Sequence, residues 1–292
     1  MTARTTITWL GRAPAVAALL VVAACGGNRN EVPQGISEPD RFLYERGTEA
    51  LERNRWLSAR EYFRRILDGY PQSPVRPDAK LGIGDSFQGE GTTEGYILAL
   101  NEYREFLTFY PTHARADYAQ YQLGMTHYRQ MRKPQRDQTE TREAIREFEA
   151  FLQRYPNSSL RPDAETRLRE AKNRLGEAEY QVGYFYYRQK WYPGAIDRFK
   201  DLLARDPEFT YRDAVYYHLG EALLRVKLDA EALPYFDRLL KEFEASEYLQ
   251  KARARVQELR ARIDAPEDPK PAEQTPAEGA VSDAAESAAP PR

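Results

Sequence analysis

The chain has 292 residues, with 43 Lys and Arg against 45 Asp and Glu for a net charge of −2. So balanced a charge excludes a global electrostatic pull toward nucleic acid or anionic lipid, and the length allows one large domain or two ordinary ones. Its 20 Tyr, 12 Phe and 3 Trp, in a chain that is 30% charged, suit amphipathic helices with aromatic inner faces.

Residues 1–24 read as an export signal, with Arg4 and Arg12 ahead of an apolar run from Ala13 to Ala24 that ends in small residues. The run is well short of the ~20 residues that span a bilayer. It closes on Val22-Ala23-Ala24-Cys25-Gly26, which has the form of a lipobox, and Cys25 is the only cysteine in the chain. No internal disulfide can form, so acylation of Cys25 is the expected fate of the thiol, and the acyl chains would anchor the protein at ~0.8 kcal/mol per buried CH₂. Gly26 and Gly27 supply no acidic sorting signal, which leaves outer-membrane delivery as the expected route. Residues 25–38 read as a flexible tether.

From Pro39 onward, helical periods are broken by Pro, Gly and Asn, and one phrase recurs. It is Tyr62-Phe63-Arg64-Arg65-Ile66-Leu67-Asp68-Gly69-Tyr70-Pro71, then Tyr103 to Pro111, Phe148 to Pro156 and Phe199 to Pro207. These segments resemble the tetratricopeptide (TPR) unit, a helix-turn-helix of ~34 residues with small residues where its helices touch and a proline after the second. Gly47 and Ala50 with Ala59, Phe63 and Ile66 mark the first repeat, and Asn54-Arg55-Trp56 its turn. The anchors of the second are Gly82, Ala99, Tyr103 and Phe106, and those of the third Gly124, Ala144, Phe148 and Phe151. Val182-Gly183, Ala195, Phe199 and Leu202 mark the fourth; Leu219-Gly220, Ala232, Phe236 and Leu239 mark the fifth. Extra residues around Gly89 to Gly95 and around Met131 to Thr139 are expected to form loops.

One long helix is predicted from Pro162 to Gln189, where Gly176 and Gly183 are the strongest breakers. Leu249, Ala252, Val256, Leu259 and Ile263 alternate at helical spacing and predict a capping helix. The fold expected is all-α: a TPR-type helix-turn-helix solenoid of about five repeats, with repeats 1–3 in residues 39–158 and repeats 4–5 plus the cap in 159–264. Residues 265–292, rich in Pro, Ala, Glu and Ser and without an aromatic residue, predict a disordered tail.

Beyond the repeat, Pro111-Thr112-His113-Ala114-Arg115-Ala116-Asp117-Tyr118 resembles the PTH…DY segment of the BamD family of lipoproteins, and Arg136-Asp137-Gln138-Thr139 its RDQT insertion. Ala114 departs from the family's frequent second proline, as does the acidic tail. The resemblance covers Pro39 to about Ile263. It implies a scaffold that is lipid-anchored at the periplasmic face of the outer membrane. The implied partners are a barrel-forming, BamA-like assembly subunit for the C-terminal repeats and unfolded outer-membrane β-barrel proteins for the N-terminal ones. Another periplasmic TPR lipoprotein, of pilus assembly or peptidoglycan coordination, would share the Tyr-Pro endings but lack these two phrases.

In TPR proteins the groove is lined by first-helix residues that the fold does not need. Transferred here, that rule selects Tyr44, Tyr118, Tyr121 and Tyr128 for substrate segments, and Tyr180, Tyr184, Tyr187 and Tyr217 for the partner subunit. Tyrosine suits such surfaces because it joins a rigid apolar face to one hydroxyl. Arg198 and Arg212 stand near the second helices and turns of the C-terminal half as rim contacts. His113, His127 and His218 fall in different repeats without ligand spacing, so no metal site is expected, and His113 reads as a turn residue. Gly82-Ile83-Gly84 lies inside a helical period, which excludes a phosphate loop. No cofactor, nucleic acid or catalytic activity is expected.

Overall fold

The computed structural model describes residues 35–263. The signal segment, Cys25, most of the tether and the tail lie outside the described residues. Within them the chain is all-α, with eleven helices: α1 (Pro39–Glu52), α2 (Trp56–Gly69), α3 (Arg76–Glu90), α4 (Thr93–Phe109), α5 (Ala116–Gln130), α6 (Thr139–Arg154), α7 (Arg161–Arg188), α8 (Tyr192–Arg205), α9 (Arg212–Arg225), α10 (Asp229–Glu242) and α11 (Leu249–Ile263). Consecutive helices pack as antiparallel pairs, so the fold is a TPR-type helical repeat. The predicted long helix is α7, and the capping helix is α11.

Two compact units divide inside α7, between Ala171 and Lys172, with the 133–138 loop grouped with the second unit. The two ends of α7 belong to different cores. Ala164 and Leu168 join the core around Phe148 and Phe151, whereas Tyr180, Tyr184, Tyr186 and Tyr187 pack on the core around Phe199 and Leu219.

Four of the five repeats are held by a phenylalanine ring laid on a glycine of the first helix. Phe63, Phe148, Phe199 and Phe236 are fully buried, and a Cβ added at Gly47, Gly124, Gly183 or Gly220 would stand 2.5–2.7 Å from the facing ring. No side chain fits there, so the glycine lets the helices close to ring-on-backbone contact. The second repeat departs from this. At the interval that separates Asp40 from Gly47, it carries Asp78 and Asp85, and Asp85 accepts a hydrogen bond from the Tyr103 hydroxyl at 2.7 Å. Gly82, expected to serve as that repeat's own anchor, instead lies against Phe63 of the repeat before, and Gly84 meets Tyr103. A tyrosine in place of phenylalanine needs a buried acceptor, and the aspartate supplies it.

The Gly-rich stretch expected as a loop is mostly helix. The helix α3 runs to Glu90; Gly91 caps it in the left-handed conformation (φ +68°), and Thr92 Oγ1 accepts the Gly95 N–H at 2.9 Å to start α4. Gly89 permits close approach to Trp56, and Gly95 to the Phe87 carbonyl, so these glycines mark packing and not chain reversal. The 131–138 loop does form. The Gln138 side chain donates to the carbonyls of Lys133 (2.8 Å) and Arg136 (2.9 Å), which gives the RDQT-like phrase a structural task.

In the first, third and fifth repeats the turn after the second helix carries a clamp that links it to the start of its own repeat. Ser73, Ser158 and Ser246 donate to Asp40, Asp117 and Asp213, each at 2.6 Å. Each serine Oγ also accepts the backbone N–H two residues on. After the second repeat, His113 Nδ1 takes over that acceptance and the Arg115 guanidinium reaches Asp78 at 3.1 Å. His113 is thus a turn residue, as its position in the sequence indicates.

Candidate binding surfaces

In the first unit the four predicted tyrosines lie on the first-helix face, each half-buried. Tyr44 leans on Phe63 with ring centroids 5.9 Å apart. The Tyr118 hydroxyl donates to Asp85 at 3.0 Å, onto the same oxygen that Tyr103 uses, and its ring carries the Arg115 guanidinium at 4.5 Å. Tyr121 packs on Phe148 and Phe151 and donates to Asp163; Tyr128 packs on Phe148, donates to Glu170 and lies under Arg167. Sequence reasoning missed these acidic partners. The structure adds that three of the hydroxyls are already engaged, so the ring faces are what the surface offers.

Burial, then the nearby acid, raises the pKa of Tyr121, to about 12, and the hydroxyl stays a donor at neutral pH. Desolvation also raises the Asp85 carboxyl from its ordinary value, against the opposing pull of the two tyrosine hydroxyls. The folded chain therefore holds the Asp85 proton more tightly than the unfolded chain does. Its contribution is most favourable below the ordinary carboxylate pKa and is lost as pH rises through the raised folded value. Asp85→Asn keeps an acceptor for both hydroxyls and removes the charge. It is expected to match or exceed the parent's stability at pH 7 in urea unfolding, with the difference closing toward pH 4, whereas Asp85→Leu strands both donors at a cost of about 1–3 kcal/mol. A pH-independent loss in the asparagine variant would contradict this account.

In the second unit the four predicted tyrosines converge. Tyr180, Tyr184 and Tyr187 form a ladder along α7, with successive rings 6.0 and 6.2 Å apart and nearly parallel. Opposite them Tyr217 stacks on Tyr248 at 4.7 Å. His218 stands between the two stacks, edge-on to all five rings at 4.9–5.9 Å. Its Nδ1 lies 2.8 Å from the Ala214 carbonyl and so must carry the proton; the Tyr180 hydroxyl is 3.1 Å away. Burial lowers the His218 pKa, so the cluster has an uncharged centre at neutral pH. The Lys251 ammonium sits 5.9 Å over both Tyr217 and Tyr248, a cation at the rim.

Neither His218 nor Tyr248 was predicted. His218 follows Tyr217 directly on α9, but Tyr248 precedes α11 and meets the cluster only because the clamp at Ser246 sets the chain's course there. The two arginines have other surroundings. Arg198 is exposed on α8, while Arg212 donates to the Phe209 carbonyl at 2.9 Å and stacks over Phe243 at 5.3 Å.

Helix pairs closed by ring-on-glycine contacts, with tyrosines gathered on their first-helix faces, define a tetratricopeptide-type helical-repeat protein. The chain belongs to the YfiO family, described as outer membrane lipoprotein, whose family model matches residues 37–232. Among curated relatives it is similar to the outer membrane protein assembly factor BamD of Caulobacter vibrioides, at 29% identity with 74% of this chain and 72% of that one covered. It is likewise similar to BamD of Vibrio cholerae, at 29% identity over 65% of this chain and 81% of that one. Among solved structures, the TPR2AB domain of yeast Sti1 in complex with pHSP90 aligns over 77% of this chain and 84% of that one, with a TM-score of 0.41 and 13% identity. The fold assignment rests on the helices themselves. No described helix is long and apolar enough to cross a membrane.

Proposed function

We propose that the chain is a non-catalytic scaffold of outer-membrane β-barrel assembly, exported by residues 1–24 and held by acylated Cys25 and a tether of residues 25–38 at the periplasmic face of the outer membrane. Its first-helix face in repeats 1–3 receives extended segments of unfolded barrel proteins. The tyrosine cluster around His218 docks the barrel-forming, BamA-like subunit, with exposed Arg198 as a rim contact. Membership of the YfiO family and the BamD relatives support the reading.

The observation that carries it is the state of the tyrosines. With hydroxyls engaged by Asp85, Asp163 and Glu170, the N-terminal face presents rigid ring surfaces whose immobilisation cost is already met by folding. Such a surface favours apolar and aromatic side chains and is indifferent to most of a segment's sequence, as a receptor for many different barrel proteins requires. Simultaneous Tyr44→Ala, Tyr121→Ala and Tyr128→Ala is expected to weaken binding of an aromatic-ended barrel-protein peptide at least tenfold by fluorescence anisotropy, with helicity by circular dichroism retained. Unchanged affinity in a folded variant ends the N-terminal part of the proposal. Intact-mass analysis of the protein from membranes tests the anchor, and an unmodified Cys25 removes it.

A further inference from the structure

At the loop end of the α5–α6 hairpin, His127 from α5 and Glu143 and Glu147 from α6 bring a ring nitrogen and two carboxylate oxygens within 4.8 Å of one another. His127 is only 5% exposed. Its Nδ1 lies 2.7 Å from Glu140 Oε2, and its Nε2 is buried with no hydrogen-bond partner. With Nδ1 taken by Glu140, Nε2 is the ring nitrogen left to serve the other two acids. A buried nitrogen without a partner is costly, and the ring that carries it stands beside two carboxylates. From these contacts we infer a divalent transition-metal site, with His127 Nε2, Glu143 and Glu147 as its protein ligands.

The supporting contacts have the form such sites need. A carboxylate on the far nitrogen of a ligand histidine fixes its tautomer and orientation, which is the place of Glu140. Gln120 donates from Nε2 to Glu147 Oε2 at 2.8 Å and to the Glu147 carbonyl at 3.2 Å, holding that carboxylate at the hairpin. Two carboxylates and one neutral imidazole balance a 2+ ion, and nitrogen with oxygen donors at ~2.0–2.2 Å suit zinc.

One group competes. Arg146 pairs with Glu143 and, at 3.1 Å, with Glu147. Its side chain is 61% exposed, so its guanidinium can swing into water and leave the acids to the ion. Metal would thus exchange a surface ion pair for a tie between α5 and α6 at the base of the 131–138 loop.

Zinc is the probe. The full chain in detergent, stripped with EDTA, is titrated with Zn²⁺ by calorimetry and followed by thermal unfolding. Saturable binding of one ion with a raised Tm is expected. Glu143→Gln, at a partly exposed position, is expected to weaken binding at least tenfold with the apo-protein Tm retained, and His127→Ala to abolish it. Arg146→Ala is expected to tighten binding severalfold, a gain that a purely structural role for the acids would not produce. Absence of saturable binding overturns the site, as does binding that Glu143→Gln and Arg146→Ala both leave unchanged.

Discussion

Phe63→Ala is expected to destabilise the first unit by about 3–5 kcal/mol, the range for deleting a buried aromatic ring, read from urea unfolding followed by circular dichroism. The cost belongs at the upper end for a geometric reason. Ring atoms of Phe63 lie 2.5 Å from the Cβ position of Gly47 and 2.4 Å from that of Gly82, so helices α1 and α3 press backbone against it. Glycines have no side chains to swing into the space, and α1, tied through Asp40 to Ser73 in the turn ahead of α3, cannot close it without losing that contact. The cavity therefore persists. Gly47→Ala provides the reciprocal test. Overpacking costs ~1–3 kcal/mol, and alanine recovers up to ~1 kcal/mol through helix propensity, so a smaller net loss is expected. A Phe63→Ala loss below about 1 kcal/mol would show that the helix pair collapses freely, and the ring-on-glycine account would fail.

Combined Tyr184→Ala and Tyr217→Ala is expected to weaken binding of the barrel-forming subunit by about 30-fold or more, the effect of losing a hot spot worth ~2 kcal/mol, measured by surface plasmon resonance. The two rings flank His218 from opposite stacks, at 4.9 and 5.2 Å. Removing both opens the cluster and hydrates an imidazole that burial keeps neutral. Arg198→Ala serves as the comparison. An exposed charge at a rim typically changes affinity by less than ~1 kcal/mol, so the two variants separate the ring cluster from general surface charge. Equal small effects from both would move the docking surface elsewhere. Losses confined to Arg198→Ala would reverse the assignment of roles.

The repeats were legible because helix periodicity, small anchors and terminal prolines are local signals, each set by a few neighbouring residues. The Phe-on-Gly pairs in repeats 1, 3, 4 and 5 follow from residues within one helix-turn-helix, and those anchors were readable in sequence. The second repeat was misread at Gly82 because its proper position is held by Asp85, whose use appears only when the Tyr103 hydroxyl arrives from α4 and the Tyr118 hydroxyl from α5. Gly89 and Gly95 looked like loop residues for a similar reason. Composition alone does not separate a glycine that turns the chain, such as Gly91 at φ +68°, from one that admits Trp56 or a carbonyl.

Candidate surfaces divide along the same line. Sequence by itself determined that tyrosines occupy first-helix positions, since helical spacing places them on a shared face. Only the tertiary structure decided that Tyr118, Tyr121 and Tyr128 surrender their hydroxyls to carboxylates from other helices, that His218 and Tyr248 join the C-terminal tyrosines, and that His127 faces Glu143 and Glu147. The physical reason is range. Periodicity reports which side of a helix a residue occupies, while its partner across the interface depends on the separation and rotation of two helices, which ring-on-glycine packing and the Ser–Asp clamps set together.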